Sequence, residues 1–116
     1  MKDIRIAAVS MNCPVGRVQH NLDRMAGWVQ AAKKRSADLV CFPEMNITGY
    51  STRDIIKNSA QTIPGAISQS VSALARKFKL AILAGLLEKD DGGRMFASHV
   101  VVSENYMNLN LRFGYH

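Results

Sequence analysis

The chain has 116 residues, a length typical of a single domain that buries its own core. Its composition, 47% hydrophobic and 21% charged, excludes disorder, and with no apolar signal segment at its start and no stretch long enough to span a bilayer, a cytoplasmic location is expected. The net charge of +6 is compatible with nucleic-acid binding, but the absence of phosphate loops, zinc-finger spacing and interleaved aromatic and basic residues disfavours that partner.

The first part of the chain predicts a strand, a helix and a second strand. Ile4 to Val9 is rich in β-branched residues and predicts the first strand, which Asn12 to Gly16 ends. Apolar residues at helical spacing predict a helix from about Arg17 to Ser36; they are Val18, Leu22, Met25, Ala26, Val29 and Ala32. A strand follows from Asp38, and a right-handed crossover makes the two strands parallel.

The second part predicts two helices followed by three strands. The predicted elements are a short helix over Ser51–Ser59, a long helix over Ala66–Phe78, and strands over Leu80–Leu87, Met95–Ser103 and Tyr106–Phe113. Ser51 or Thr52 is the predicted cap of the short helix. Asp90 to Gly93 is a strong hairpin signal. The last strand alternates apolar and polar residues, which is typical of a sheet edge.

The predicted sheet has too few helices to cover both of its faces. Its central strands are apolar on both faces, whereas two right-handed crossovers in one direction place both long helices on the same face. A bare apolar face of that size should not contact water, so we expect a second copy of the chain or the rest of a longer protein to cover it. The sequence therefore predicts an α/β fold, a mixed sheet with helices on one face and a partner on the other.

The candidate site is the segment that follows the second strand. Leu39 to Phe42 is apolar throughout, and Pro43 ends the strand because it lacks an amide donor. Glu44 then lies at the carboxyl end of a strand, where ligands bind in open α/β sheets. Partly removed from water by Phe42, Met45 and Tyr50, its carboxylate could act as a base near neutral pH. The alternative is a turn residue that caps a backbone amide or pairs with an arginine.

Several segments together resemble a known enzyme family. They are Ile4–Val9, the helix that contains Asn21, Ala37–Glu44, Thr48-Gly49-Tyr50, Leu83–Gly85 and Ser98–Val102. In this order they resemble the nitrilase superfamily of carbon–nitrogen hydrolases over roughly residues 3 to 103. The resemblance implies an α-β-β-α sandwich of which residues 1–116 form a single, incomplete domain. It also implies hydrolysis of a small amide or nitrile, with no metal or other cofactor.

The family works with a glutamate, a lysine and a cysteine. The resemblance implies that Glu44 is the general base and that Tyr50 helps to shape the substrate pocket. No lysine follows Lys89, and Phe113 stands about where the family's lysine is expected. The family's nucleophilic cysteine would lie beyond His116. The resemblance therefore implies a truncated N-terminal portion that is inactive by itself.

The remaining reactive residues leave alternatives open. Cys13 is expected near the same sheet edge, so a Cys13–Glu44 pair with Arg112 as its cation is conceivable. Cys41 is predicted to be a buried small hydrophobe that points away from Glu44, and His99 to be a packing residue on its strand. A non-catalytic half-sandwich that persists as a homodimer and a basic nucleic-acid-binding module are the competing functions.

Overall fold

A computed structural model describes residues 3–51, 53–104 and 107–114, with Leu111 and Arg112 as the described side chains of the last range. In chain order the elements are β1 (Ile6–Ala8), α1 (Val18–Lys34), β2 (Leu39–Cys41), a 3₁₀ helix (Asp54–Ser59), α2 (Ala66–Phe78), β3 (Ala81–Lys89), β4 (Met95–Val102) and β5 (Met107–Gly114). The strand order in the sheet is β1-β2-β3-β4-β5. Pairing is parallel from β1 to β3 and antiparallel from β3 to β5. The predicted mixed α/β sheet is confirmed.

The structure differs from the predicted elements mainly at their ends. β1 is shorter than predicted because its pairing with β2 extends only from Ile6 to Ala8. The short helix is a 3₁₀ helix, and no described side chain caps its first turn. Ser51 Oγ instead accepts a hydrogen bond from the backbone amide of Arg53, the residue before the helix, at 3.0 Å. Thr52 and Tyr106, which the sequence analysis included in its predicted elements, lie outside the described residues.

Both long helices pack on the same face of the sheet, as predicted. The apolar stripe of α1 and the inward residues of α2 form one core with alternate residues of β2, β3 and β4. Fully buried members of this core are Met25, Val29, Val40, Ile47, Val71, Ala75, Ile82, Ala84, Leu86, Val100 and Val102. The core forms because strand residues two apart point to the same face, while helix residues three or four apart share one stripe.

The opposite sheet face, which we call the open face, is apolar and largely uncovered among the described residues. It carries the strand residues that alternate with the core, including half-buried Leu83 and Val101. Ile6 is 55% exposed and Leu111 is 45% exposed. Among the described residues, its far end is the covered part, where Met45 and Ile56 pack on Leu87 in a second, smaller core. The bare apolar face predicted from the helix count is therefore present.

Candidate active site

The turn that follows β2 makes hydrogen bonds to β3 that a longer β2 would otherwise make. Because β2 ends at Cys41, the edge of β3 beyond Leu83 would otherwise be unpaired. The Gly85 amide instead donates to Asn46 Oδ1 at 2.8 Å, and the Leu87 amide donates to Thr48 Oγ1 at 3.0 Å. The Ile47 amide donates to the Gly85 carbonyl at 2.9 Å. Buried polar side chains thus fix the turn that carries Glu44 to the sheet.

Gly85 allows this turn to lie directly on the sheet. A Cβ atom at Gly85 would be 2.4 Å from the backbone nitrogen of Met45 and 3.2 Å from the carbonyl carbon of Glu44. It would also be 3.1 Å from His99 Nδ1 on the neighbouring strand. Since real Cβ atoms do not approach backbone this closely, a residue without a side chain is needed here.

Asn21 anchors the same turn from the helix side. Its fully buried side chain donates through Nδ2 to the carbonyls of Ile47 at 2.9 Å and Pro14 at 3.0 Å. Asn21 is not one of the apolar residues that predict α1, yet the structure buries it completely. Only the family resemblance singled out its helix, because hydrophobic periodicity carries no information about a polar residue that serves a distant loop.

Glu44 lies on the wall of a cavity of about 480 Å³ on the open face. The residues lining it are Glu44, Leu83, Ala97, Ser98, His99, Val101 and Leu111. Most of these side chains are apolar, whereas two of them, Glu44 and His99, can ionise. This is the pattern of a small-molecule site, an apolar concavity with a few polar groups that orient the ligand.

Glu44 is more exposed than the sequence analysis expected. Phe42 and Met45 are buried beneath the turn and do not shield the carboxylate, and Tyr50 is 61% exposed. Shielding of the carboxylate would require the covering layer that the sequence predicts over the open face. Tyr50 is not among the described residues that line the cavity, and its contact with substrate stays a prediction.

His99 belongs to this site, which the sequence analysis did not predict. It is half-buried opposite Gly85, so it packs as expected, but its ring also lines the cavity beside Glu44. Burial lowers the pKa of His99, and the negative charge of Glu44 opposes this shift. The imidazole is therefore mainly neutral at pH 7. The register that pairs Lys89 with Met95 places His99 opposite Gly85, and the turn residues Asp90 to Gly93 do not specify that register by themselves.

The alternative site, a Cys13–Glu44 pair with Arg112 as its cation, is wrong. Arg112 lies on the helix side of the sheet, where its Nε and Nη2 donate to the carboxylate of buried Glu88 at 2.9 and 2.6 Å. Cys13 Sγ donates to the Met11 carbonyl at 3.5 Å. Burial raises the pKa of the Cys13 thiol more than the charge of Arg24 lowers it. A raised pKa disfavours the thiolate that a nucleophile needs.

The prediction for Cys41 is also corrected. Its neighbour Val40 is fully buried in the helix-side core, so the alternation of β2 places Cys41 on the open face. There it is only half-buried and pairs in register with Leu83, a residue of the Glu44 cavity.

Among the residues that the structure describes, no group of three or more His, Cys, Asp or Glu side chains is arranged to hold a metal ion. In the same part of the chain, no helix is both long and apolar enough to cross a membrane.

A family model described as carbon-nitrogen hydrolase matches residues 5–112 of the chain. A nitrilase of Pyrococcus abyssi is 34% identical over 102 residues, which cover 85% of this chain and 38% of that protein. A glutamine-dependent NAD(+) synthetase of Acinetobacter baylyi is 24% identical over 104 residues, covering 90% of this chain and 19% of that protein. The chain thus spans well under half of the length of these relatives.

Solved structures share the fold. An amidase from Nesterenkonia sp. AN1 superposes with a TM-score of 0.83 at 19% identity, over 95% of this chain and 44% of that one. An N-terminal amidase crystallised with a Gln-Gly peptide gives a TM-score of 0.81 at 22% identity, over 97% of this chain and 28% of that one. At these identities the likeness establishes the fold, and the partial coverage fits half of a sandwich.

Proposed function

Because this chain belongs to the carbon–nitrogen hydrolase family, we propose that it contributes Glu44 as the general base of an enzyme that hydrolyses a small amide or nitrile. The observation that carries this proposal is the position of Glu44, which the turn holds against Gly85 at the wall of an apolar cavity. A carboxylate at the carboxyl end of a parallel strand is well placed to act on a bound ligand. The relative named a nitrilase supports the class of reaction.

The proposed chemistry needs more groups than this cavity shows. A base in this position takes the proton of a thiol nucleophile and later activates water, while a cation stabilises the developing oxyanion. Neither a cysteine nor a lysine is among the described residues that line the cavity. We therefore expect the 116-residue chain by itself to hydrolyse amides and nitriles at little or no rate.

A chimera tests the role of Glu44 directly. Residues 5–112, the range matched by the family, would replace the corresponding segment of the Pyrococcus abyssi nitrilase, whose remainder supplies the rest of the protein. Turnover of a panel of small nitriles and amides is measured for the chimera and for its Glu44→Gln variant. Removing a general base should lower kcat by roughly 10²- to 10⁴-fold.

The matched control is Glu104→Gln, which makes the same change at an exposed residue beyond β4. It should leave turnover unchanged. Full activity of the Glu44→Gln chimera would overturn the proposed role of Glu44. Turnover by the 116-residue chain alone, lost on Glu44→Gln, would support the base and overturn the expected inactivity.

A non-catalytic homodimer is the second candidate function, and the open face favours it. This face presents apolar surface that a second copy of the chain could cover. Its residues include the exposed Ile6 and Leu111 and the half-buried Leu83 and Val101. Sedimentation of the chain at several concentrations tests this function. A stable dimer without turnover supports it, and a monomer at every concentration argues against it.

A cytoplasmic location stays a prediction of the sequence.

A further inference from the structure

His99 and Glu44 approach each other over Gly85. The position of a Cβ atom on Gly85 lies 3.1 Å from His99 Nδ1 and 3.2 Å from the carbonyl carbon of Glu44. Both side chains line the same cavity. The backbone of the turn and the pairing of β3 with β4 therefore bring one carboxylate and one imidazole to one small site.

No other charged side chain among the described neighbours faces His99. The residues that surround it on the open face are Leu83, Gly85 and Leu87 of β3, Ala97 and Val101 of β4, and Leu111 of β5. Arg112 is next to Leu111 but lies on the helix side, bound to Glu88. The charge that His99 experiences thus comes from Glu44, which acts against the effect of burial on the imidazole.

Resting on the proposed function, we propose that His99 contacts the substrate and, with Glu44, selects a small uncharged carboxamide with an apolar side chain over the matching carboxylate. The Glu44 carboxylate can accept the amide N–H, and the neutral imidazole can donate its N–H to the amide carbonyl. The apolar side chains of Leu83, Val101 and Leu111 contact the rest of the molecule. A nitrile offers Glu44 no donor, so the pair favours the amide.

The same pair makes binding of the acid product depend on pH. With neutral His99 the described lining of the cavity carries only the charge of Glu44, which repels a second carboxylate. When acid protonates His99, the imidazolium can pair with that carboxylate. The product is therefore expelled near neutral pH and retained when His99 is protonated, whereas an uncharged amide is indifferent to this change.

The first arm of the test is NMR titration of His99 in the full chain, using its ring Cε1–H resonance. The midpoint should lie below the ordinary histidine value of 6.5 and should fall further in Glu44→Gln, because the opposing charge is removed. The control Asp91→Asn removes a carboxylate in the hairpin turn and should leave the midpoint unchanged. A midpoint that does not respond to Glu44→Gln would overturn the proposed pairing.

The second arm measures binding of isobutyramide and isobutyrate through the same resonance and the methyl resonances of Val101. At about pH 7.5, where His99 is neutral, the amide should bind roughly tenfold or more tightly than the acid. At about pH 5.5 the acid should bind more tightly than at the higher pH, and the amide should change less than about twofold. In Glu44→Gln the acid should bind better at the higher pH and keep its dependence on His99.

His99→Asn supplies the decisive variant. Loss of one hydrogen bond should weaken isobutyramide binding roughly 2- to 12-fold and remove the His99-dependent part of the pH response of isobutyrate. Unchanged amide affinity in His99→Asn, or equal affinity for amide and acid in the unsubstituted chain, would overturn the inference. Both arms measure binding and ionisation, so they can succeed even when the turnover test of Glu44 fails.

Discussion

At the scale of single residues, one buried amide connects three parts of the site. Asn21 holds the carbonyls of Pro14 and Ile47 with the two N–H groups of its side chain. The loop after β1, the helix α1 and the turn that bears Glu44 are thereby fixed to one another. A group with two donors is required because both partners are acceptors.

Asn21→Asp should therefore be strongly destabilising. It replaces the two donors with a carboxylate facing two carbonyl oxygens in a fully buried position. We expect the free energy of unfolding, measured with urea, to fall by about 3 kcal/mol or more. Gln30→Glu makes the same change from amide to acid at an exposed position of the same helix, and should stay within about 0.5 kcal/mol. Equal effects of the two substitutions would contradict this role of Asn21.

At the scale of elements, the site depends on how the turn of residues 43–49 lies against β3. β2 is only three residues long, and the turn completes its hydrogen bonding to β3 through Asn46, Ile47 and Thr48. Gly85 lies below this contact and leaves room for the backbone of Glu44 and Met45. The position of the catalytic candidate is thus set by a strand edge and one missing side chain.

Gly85→Ala should displace the turn without breaking the helix-side core. The added methyl group would meet the backbone nitrogen of Met45 at 2.4 Å, which forces the turn away from the sheet. We expect a loss of about 1–3 kcal/mol in the free energy of unfolding and a lower kcat in the chimera. Gly27→Ala is the matched control, since a Cβ there meets nothing within 4 Å on an exposed turn of α1. It should be neutral or stabilise the chain by up to about 1 kcal/mol. A tolerated Gly85→Ala with full activity would refute the close approach.

At the scale of the whole molecule, the two faces of the sheet differ in how deeply their side chains are buried. Both helices cover one face, where Val100 is fully buried, whereas Val101 on the open face is only half-buried. These neighbours on β4 are identical in chemistry and differ only in the face to which they point. They therefore report separately on the core of this chain and on the surface available to a covering layer.

Val100→Asp should destabilise the chain far more than Val101→Asp. A carboxylate at Val100 would enter the dry core and should cost more than about 3 kcal/mol, so the chain unfolds by circular dichroism and urea titration. At Val101 the same carboxylate can reach water, so the loss should stay below about 1 kcal/mol. If two copies pair through the open face, Val101→Asp also converts the dimer to a monomer in sedimentation. Unfolding by Val101→Asp alone would show that the faces are assigned wrongly.

Much of the architecture could be predicted from residue patterns. α2 was predicted with the bounds that the structure shows, and α1 differs from its predicted range only at its ends. The hairpin at Asp90 to Gly93 and the position of Glu44 just after β2 were likewise predicted, as was the bare sheet face. The site was predicted less completely. Glu44 was predicted as a site residue and lines the cavity, whereas His99, which also lines it, was predicted only to pack. Arg112, considered as an alternative cation, instead binds Glu88.

The sequence by itself determined which segments become helices and strands and which of their sides are apolar, because periodicity and turn chemistry act between residues close together in the chain. Only the tertiary structure decided that Asn21 serves a distant turn, that Gly85 admits the backbone of Glu44, and that His99 shares its cavity. Those relations join residues far apart in the chain. They depend on strand register and on space between packed elements, which no local pattern of residues encodes.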